Sequence, residues 1–404
     1  MFVLFCRIFQ FVFNFGARVL PWRKAIPVEG PGSIGKIPEL LRERKVTKPI
    51  LVTDNGLVKA GIAQRVIDVL ANAHFAYLVY TDVEPNPSVN TVNKIQKLYI
   101  EHGCDGIIAL GGGSSMDAAK GAAARVVKPR KSVNQLGGLL RVLKRLPPFI
   151  AVPTTAGTGS ETTIAALITD TDTRHKYAIM DLSLIPRYAI LDPNLTLGLP
   201  PSITAATGMD ALTHAIEAYL CWTYNTKESI QFAFDAVKII FENIEKVYKD
   251  GRNVEARQAM LLASYKAGFA FTRAGVGNIH AIAHTLGGLY NTPHGLANAV
   301  ILPIVLEDYG AKVHKKLAHL AETAGLVSTQ DSKTIAEKAK IFIDAIYAMN
   351  ERMGIPKGFD CIKDEDIPKM IKWAGRETNP LYPVPVIFNK ARFCKIIESL
   401  RTGG

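Results

Sequence analysis

Five short apolar runs separated by helix-forming stretches fill the first half of the chain, and the pattern then stops. Pro49-Ile50-Leu51-Val52-Thr53, Phe75-Ala76-Tyr77-Leu78-Val79-Tyr80, Gly106-Ile107-Ile108-Ala109-Leu110, Phe149-Ile150-Ala151-Val152 and Tyr188-Ala189-Ile190-Leu191 read as strands, with helices such as Ile62 to Ala73 and Ser88 to His102 between them. Strand and helix in alternation imply a parallel sheet flanked by helices. Thr163 to Asp170 and Lys176 to Asp181 flank a Thr-Asp-Thr turn and predict a hairpin added to that sheet. From Thr204 onward long helical windows take over: Glu228 to Lys249, Asn253 to Ala274 and Ser332 to Met353. The shift falls at Leu199-Pro200-Pro201. The expected division is an α/β domain over 25–199, an all-helical domain over 200–404, and an extension over 1–24.

A chain of 404 residues is long enough for two such cores. Its excess of 48 basic over 36 acidic residues clusters at Arg125, Lys128, Arg130, Lys131, Arg141, Lys144 and Arg145 and again at Lys312, Lys315 and Lys316. These runs lack interleaved aromatics and any nucleic-acid module, so a solvated basic face is expected rather than a nucleic-acid partner. The five cysteines (Cys6, Cys104, Cys221, Cys361 and Cys394) are scattered and unpaired in spacing, which suits a reducing compartment and predicts a cytoplasmic protein.

The first twenty residues are rich in Phe, Val, Leu and Ile, with Arg7, Gln10, Asn14 and Arg18 at helical spacing. They read as an amphipathic helix with a narrow polar stripe. Arg7 interrupts the apolar run, no Ala-x-Ala cleavage site follows, and the longest uncharged stretch is too short to span a bilayer. The helix either docks on the protein or a partner subunit, or lies in a membrane interface helped by Arg18, Arg23 and Lys24. Docking is the expectation.

Two small-residue loops follow strand ends. In Gly111-Gly112-Gly113-Ser114-Ser115 three glycines strip the Cβ atoms from a strand-to-helix turn, so a ligand can approach the backbone. Ser114 or Ser115 can cap the helix that starts there, whose free N–H groups favour a phosphate. The run is neither a G-x-G-x-x-G fingerprint nor a Walker loop. Pro153-Thr154-Thr155-Ala156-Gly157-Thr158-Gly159 offers hydroxyls and bare amides at the same carboxyl edge of the sheet, where such sheets bind nucleotides. Asp54, just past the first strand, can accept both ribose hydroxyls of NAD and would repel the 2′-phosphate of NADP; its plainer reading is a turn aspartate.

In the helical half, Asp210 and His214 share one helix face, His280 and His284 repeat the spacing, and His294 follows a Gly-Gly-Leu-Tyr-Asn-Thr-Pro turn. A lone i,i+4 pair is usually a satisfied surface pair. Two pairs and a fifth candidate, set among Ala, Leu, Ile and Gly, would each be costly to bury unpartnered, by roughly 1–3 kcal/mol. One carboxylate and several neutral imidazoles are what a divalent metal needs.

Together these residues resemble the iron-containing (group III) alcohol dehydrogenase family, whose short-chain alcohol dehydrogenases and lactaldehyde reductases share the pattern. The resemblance runs from about Pro27 to the end. It rests on Thr53-Asp54, Pro85-Asn86-Pro87, Gly111 to Ser114, Pro153 to Thr158, Gly208-Met209-Asp210-Ala211-Leu212-Thr213-His214-Ala215-Ile216-Glu217, His280-Ala281-Ile282-Ala283-His284 and Asn291-Thr292-Pro293-His294-Gly295. It implies a Rossmann-like nucleotide domain and an all-helical domain, arranged as in dehydroquinate synthase with a cleft between them. It also implies hydride transfer between NAD(H) and a small alcohol or diol.

Residue by residue, the resemblance implies metal ligation by Asp210, His214, His280 and His294, with His284 a non-ligand histidine near the nicotinamide; spacing alone leaves open which of His280 and His284 binds metal. It implies cofactor contacts at Asp54, Asn86, Gly112, Gly113, Ser114, Thr154, Thr155, Thr158 and Lys176. Fe²⁺ is the expected metal, with Zn²⁺ satisfying the same donors. The expected partners are a small alcohol or aldehyde and further copies of the chain in a dimer or larger assembly. Beyond His294 the family diverges, and Asn379-Pro380-Leu381-Tyr382-Pro383-Val384-Pro385 is the candidate substrate-side segment. The rival readings are a hydroxyacid–oxoacid transhydrogenase that retains its nicotinamide, a zinc glycerol dehydrogenase, a dehydroquinate synthase-like lyase, and a membrane-surface binding protein with an inactive site.

Overall fold

The computed structural model describes residues 1–170 and 176–402, and for 176 and 177 the backbone alone. The chain forms two compact units, Pro21–Gly198 and Leu199–Gly404, the second of which also takes in Met1–Leu20. Helix α1 (Phe2–Arg18) opens the chain. The first unit then runs β1 (Ile26–Glu29), α2 (Ile37–Glu43), β2 (Pro49–Val52), α3 (Asn55–Lys59), α4 (Ile62–Asn72), β3 (Leu78–Tyr80), α5 (Val89–Glu101), β4 (Gly106–Gly111), α6 (Gly113–Val127), α7 (Val133–Leu136), β5 (Gly138–Leu139), β6 (Phe149–Pro153), β7 (Ala165–Thr169), β8 (Lys176–Met180) and β9 (Tyr188–Leu191).

Six of these strands form one parallel sheet in the order β1-β9-β6-β4-β2-β3. The strand period of two separates its side chains cleanly. Ile50, Val52, Ile107, Ala109, Phe149 and Ala151 enter one buried cluster. Leu51, Ile108, Leu110, Ile150 and Val152 enter another. Both faces are therefore covered, and the strands need apolar residues at every position rather than at alternate ones. Because β2, β4 and β6 are adjacent and parallel, Ile108 pairs with both Leu51 and Ile150, and the segments that leave these strands emerge side by side at one edge.

Two details depart from expectation. β1 is a strand without an apolar run, since Ile-Pro-Val-Glu at the sheet edge carries the exposed residues Ile26, Pro27 and Glu29. The hairpin β7–β8 forms, antiparallel from Ala165↔Met180 to Thr169↔Lys176, but it does not join the large sheet. It pairs with β5 in a three-stranded sheet of its own. The expected Thr-Asp-Thr turn lies outside the described residues.

The helical unit contains α8 (Pro201–Leu220), α9 (Lys227–Lys249), α10 (Val254–Ala274), α11 (Asn278–Tyr290), α12 (His294–Tyr309), α13 (His314–Thr323), α14 (Ile335–Arg352), α15 (Ile367–Thr378) and α16 (Lys390–Ser399). α8 starts where Pro201 occupies the first turn, a position in which its missing N–H costs no helical bond. It is buried without interruption from Gly208 to Leu220, so it is the central rod of the unit. α9 is fixed at its start by a capping box of Thr226 and Ser229. α11 continues through Gly287 and Gly288, where a turn is expected, and ends at Asn291 in the left-handed region with φ 54°. α1 docks on this unit through its polar stripe, as Arg7 and Gln10 bond the backbone of Pro380–Pro385.

Candidate metal centre and cofactor loops

Three helices of the C-terminal unit converge their polar residues on one point. Asp210 and His214 leave the same face of α8, His280 comes from α11, and His294 is the first residue of α12, directly after Pro293. One ligand atom from each lies within 4.8 Å of all the others. Asp210 Oδ1 stands 3.7 Å from His280 Nε2 and 3.5 Å from His294 Nε2. The His214 ring stacks on Phe271 and on His280, with centroids 4.1 and 4.4 Å away. Three members are buried, while the His294 side chain keeps 40% of its exposure, so the cluster opens on that side.

Partners of the cluster fix its donors. Glu217, two turns beyond Asp210 on α8, accepts from the backbone N–H groups of Gly277 and Ile279, each at 2.8 Å. It thereby caps the N-terminus of α11 with negative charge. The same carboxylate lies 2.6 Å from His280 Nδ1, which commits that nitrogen as the donor and leaves Nε2 for the cluster. His280 Nε2 is buried with no hydrogen-bond partner. An orphaned imidazole nitrogen, aimed at a carboxylate and two further imidazoles, fits a bound divalent cation.

The electrostatics agree with that fit. Burial favours neutral Asp210, but His214, His294 and His280 outweigh it and hold the carboxyl well below the usual carboxylate range. Burial works against charge on His280 too, yet Asp210 and Glu217 push it up to about 9. Asn298 donates to Asp210 Oδ1 at 2.7 Å and so orients it.

His284 stands outside the four-residue group, one turn along α11 from His280. Its ring stacks on His294 at 5.1 Å. Its Nδ1 lies 2.6 Å from Glu377 Oε1, which also accepts from Tyr382 Oη at 2.9 Å. Burial would raise Glu377, but His284 and Tyr382 hold it below the ordinary range. Glu217, Asn298, Glu377 and Tyr382 carry no spacing signal of their own. Glu217 closes a quoted motif and Tyr382 lies in the segment singled out after His294; neither pattern says which histidine it serves.

In the α/β unit the loops expected to meet a cofactor lie together at the carboxyl edge of β2, β4 and β6. Thr154 N bonds Gly111 O at 3.1 Å, which carries the β4–β6 ladder into both loops. A Cβ on Gly113 would sit 3.2 Å from Thr158 Cγ2, and one on Gly112 would sit 3.4 Å from Thr155 Oγ1. Asn86, in the left-handed region at φ 56°, donates its N–H to Ser114 Oγ at 3.3 Å. Asp54 caps α3 by accepting from Leu57 N at 3.0 Å, and Ser115 Oγ reaches its other oxygen at 3.5 Å.

The serine cap expected on α6 does not form. Its N-cap is Gly112 with no side-chain bond, because the helix starts at Gly113 and leaves Ser114 and Ser115 inside the first turn, where they face Asn86 and Asp54. The first amides of α6 are left for a ligand, and the helix end favours an anion. Lys176 lies at the start of β8 opposite Thr169, and its side chain is outside the described residues.

Comparison with known proteins joins the two halves. Residues 27–193 match the profile described as iron-containing alcohol dehydrogenase, and residues 204–400 match the C-terminal profile of the Fe-containing alcohol dehydrogenase family. The chain is 36% identical to an NAD-dependent methanol dehydrogenase of Bacillus methanolicus over 85% of its own length and 90% of the relative's. It is 37% identical to a 1,3-propanediol dehydrogenase of Citrobacter freundii, over 87% and 90%. A crystal structure of a 1,3-propanediol oxidoreductase superposes with a TM-score of 0.90 at 34% identity, covering 95% of this chain and all of that one.

Proposed function

The chain belongs to the iron-containing alcohol dehydrogenase family and is a metal-dependent, NAD(H)-linked alcohol dehydrogenase, and from that premise we propose how its residues divide the reaction. Asp210, His214, His280 and His294 hold the metal, Fe²⁺ in preference to Zn²⁺. Residues 25–199 serve as the cofactor domain and 200–404 as the metal domain. The cofactor residues are Asp54, Asn86, Gly112, Gly113, Ser114, Thr154, Thr155, Thr158 and Lys176. The single observation that carries the reading is the four-ligand group with the orphaned His280 Nε2 inside it.

When bound, the metal supplies Lewis acidity at the substrate oxygen and the nicotinamide supplies the two-electron acceptor. The chain's own groups do the rest. Glu217 keeps His280 in the Nε2-acceptor tautomer and in place. Glu377 does the same for His284, whose Nε2 is left to take the hydroxyl proton; with the His284 side chain 33% exposed, the proton has a route to water. Asp54 selects NAD over NADP by charge. The substrate class is a small primary alcohol or diol, supported by the names of the methanol and 1,3-propanediol relatives. All five cysteines are free thiols, which supports a reducing, cytoplasmic setting. The reading extends to a homodimer or larger homo-oligomer.

The test is anaerobic purification followed by NADH absorbance with short aldehydes, as isolated, after chelation, and after return of Fe²⁺ or Zn²⁺. Turnover lost on chelation and restored by Fe²⁺ is the expected result. Activity untouched by chelation would refute the ligand assignment. Retained nicotinamide with no turnover of free NADH would favour the transhydrogenase.

A further inference from the structure

Amphipathic helices on proteins ordinarily turn their apolar face inward, and α1 does the reverse. Cys6, Gln10 and Asn14 are its buried residues. Arg7 donates to the carbonyls of Val384 and Pro385 at 2.8 and 3.0 Å and lies over the Trp222 ring. Gln10 donates to Pro380 O and Tyr382 O at 3.0 and 2.6 Å and accepts from Trp222 Nε1 at 2.6 Å. Asn14 donates to Thr223 Oγ1 at 3.1 Å. Rolling the helix to bury its apolar face would orphan these groups, each at roughly 1–3 kcal/mol. The orientation is therefore held by hydrogen bonds.

The outward face is a stripe of large apolar side chains. Leu4, Phe5, Ile8, Phe11, Val12 and Phe15 are 55–72% exposed and recur at helical spacing. Their exposed area is on the order of 700 Å², above the few hundred Å² of a typical largest surface patch. α1 carries no acidic residue, and of its two basic residues Arg7 turns inward while Arg18 is exposed in the last turn. Beyond the helix, Arg23 is bonded to the carbonyls of Ser183 and Ile185. No described helix is long and apolar enough to cross a membrane.

We propose that α1 is an interfacial anchor whose outward face lies in an anionic lipid surface. The apolar stripe enters the boundary between headgroups and acyl chains, and Arg18 stays at the phosphates. The other candidate occupant, a second copy of α1, would set one purely basic helix against another, because no carboxylate is available on it to pair with Arg18. An anionic bilayer complements both the stripe and its charge. The family profile begins at residue 27, beyond α1. The proposal stands apart from the catalytic assignments.

The test is co-sedimentation of the full-length metal-loaded enzyme with phosphatidylcholine vesicles and with vesicles containing about 30% phosphatidylglycerol. The companion variant is Leu4→Ser/Phe11→Ser/Phe15→Ser, which spares the inward face. The enzyme is expected to bind the anionic vesicles, more weakly as salt rises, and to bind phosphatidylcholine poorly. The variant is expected to lose roughly tenfold or more of the partition while keeping turnover and melting temperature. Equal sedimentation of variant and wild type, or equal binding to both vesicle types, would overturn the proposal. So would failure to bind vesicles with a dimer, seen by sedimentation velocity, that the variant abolishes.

Discussion

The two halves of this enzyme build their sites in opposite ways. In the helical unit the site is made of side chains: a carboxylate and three imidazoles on rigid rods, with Glu217 behind His280 and Asn298 beside Asp210. In the α/β unit it is made by leaving side chains out, so that Gly112 and Gly113 expose the uncapped amides of α6. The first kind of site fails when a functional group is removed. The second fails when an atom is added, and then only by degrees. Metal retention and cofactor affinity should therefore respond to separate sets of substitutions.

Asp210→Ala should produce the largest effect. It removes the one carboxylate of the cluster and should lower turnover by about a thousandfold or more, since metal-supplied Lewis acidity is worth several kcal/mol. Metal content by mass spectrometry should fall with it, while NADH affinity by fluorescence titration stays within about twofold. A parallel loss of NADH affinity would break the comparison at once. Gly295→Ala challenges it from the other side, because here the metal half also depends on a missing atom. A Cβ at Gly295 would lie 2.2 Å from Ala206 O and 3.2 Å from Asp210 Cβ. The clash drives the start of α12, and His294 with it, away from α8. Overpacking of this kind costs about 1–3 kcal/mol, so both melting temperature and metal content should drop.

Glu377→Gln comes next. Amide for carboxylate keeps the shape but removes the charge that orients His284, and turnover should fall about 10–100-fold with metal content unchanged. Tyr382→Phe removes one bond to the same carboxylate and should cost less. If either variant loses metal instead, His284 belongs to the ligand set and the division within α11 is wrong.

The fold was legible because its strands are short blocks between helices; in the candidate site helical spacing marked Asp210 with His214, while His294 follows a turn and only the family resemblance singled out His280 over His284. What the residues alone leave open is where partners come from. His280 and His284 share a face and a residue type; their difference lies in Glu217, 63 positions away, and Glu377, 93 positions away. β5 is two residues long and carries no periodicity, so the sheet that receives the β7–β8 hairpin could not be foreseen. The amphipathic pattern of α1 separates two faces without saying which turns inward. Backbone carbonyls of the Pro380–Pro385 segment decide that, and no periodicity in α1 encodes them.

pH sharpens the contrast on the metal side. In metal-free protein His280 is pushed up to about 9 by Asp210 and Glu217 in spite of burial. A histidine raised above its unfolded value of roughly 6.5 contributes stability that is complete below that value and lost as pH climbs through 9. The melting temperature of the chelated enzyme should therefore fall by several degrees between pH 6.5 and 9, as scanning calorimetry would show. His280→Gln should flatten that slope. A slope that survives the substitution assigns it to other groups.

Gly113→Ala should give the smallest effect, and it probes the other half alone. The added methyl would meet Thr158 Cγ2 at 3.2 Å, closer than side chains ordinarily pack but able to yield by a few tenths of an ångström. The displaced loop would still present its amides, only less closely, so KM for NADH should rise several-fold while kcat and metal content hold. Thr158→Ser in the same chain removes the opposing methyl and should recover much of the loss. Recovery would place the effect in the packing of the two loops. Its absence would mean that the backbone at Gly113 itself, and not the room above it, is what the cofactor needs.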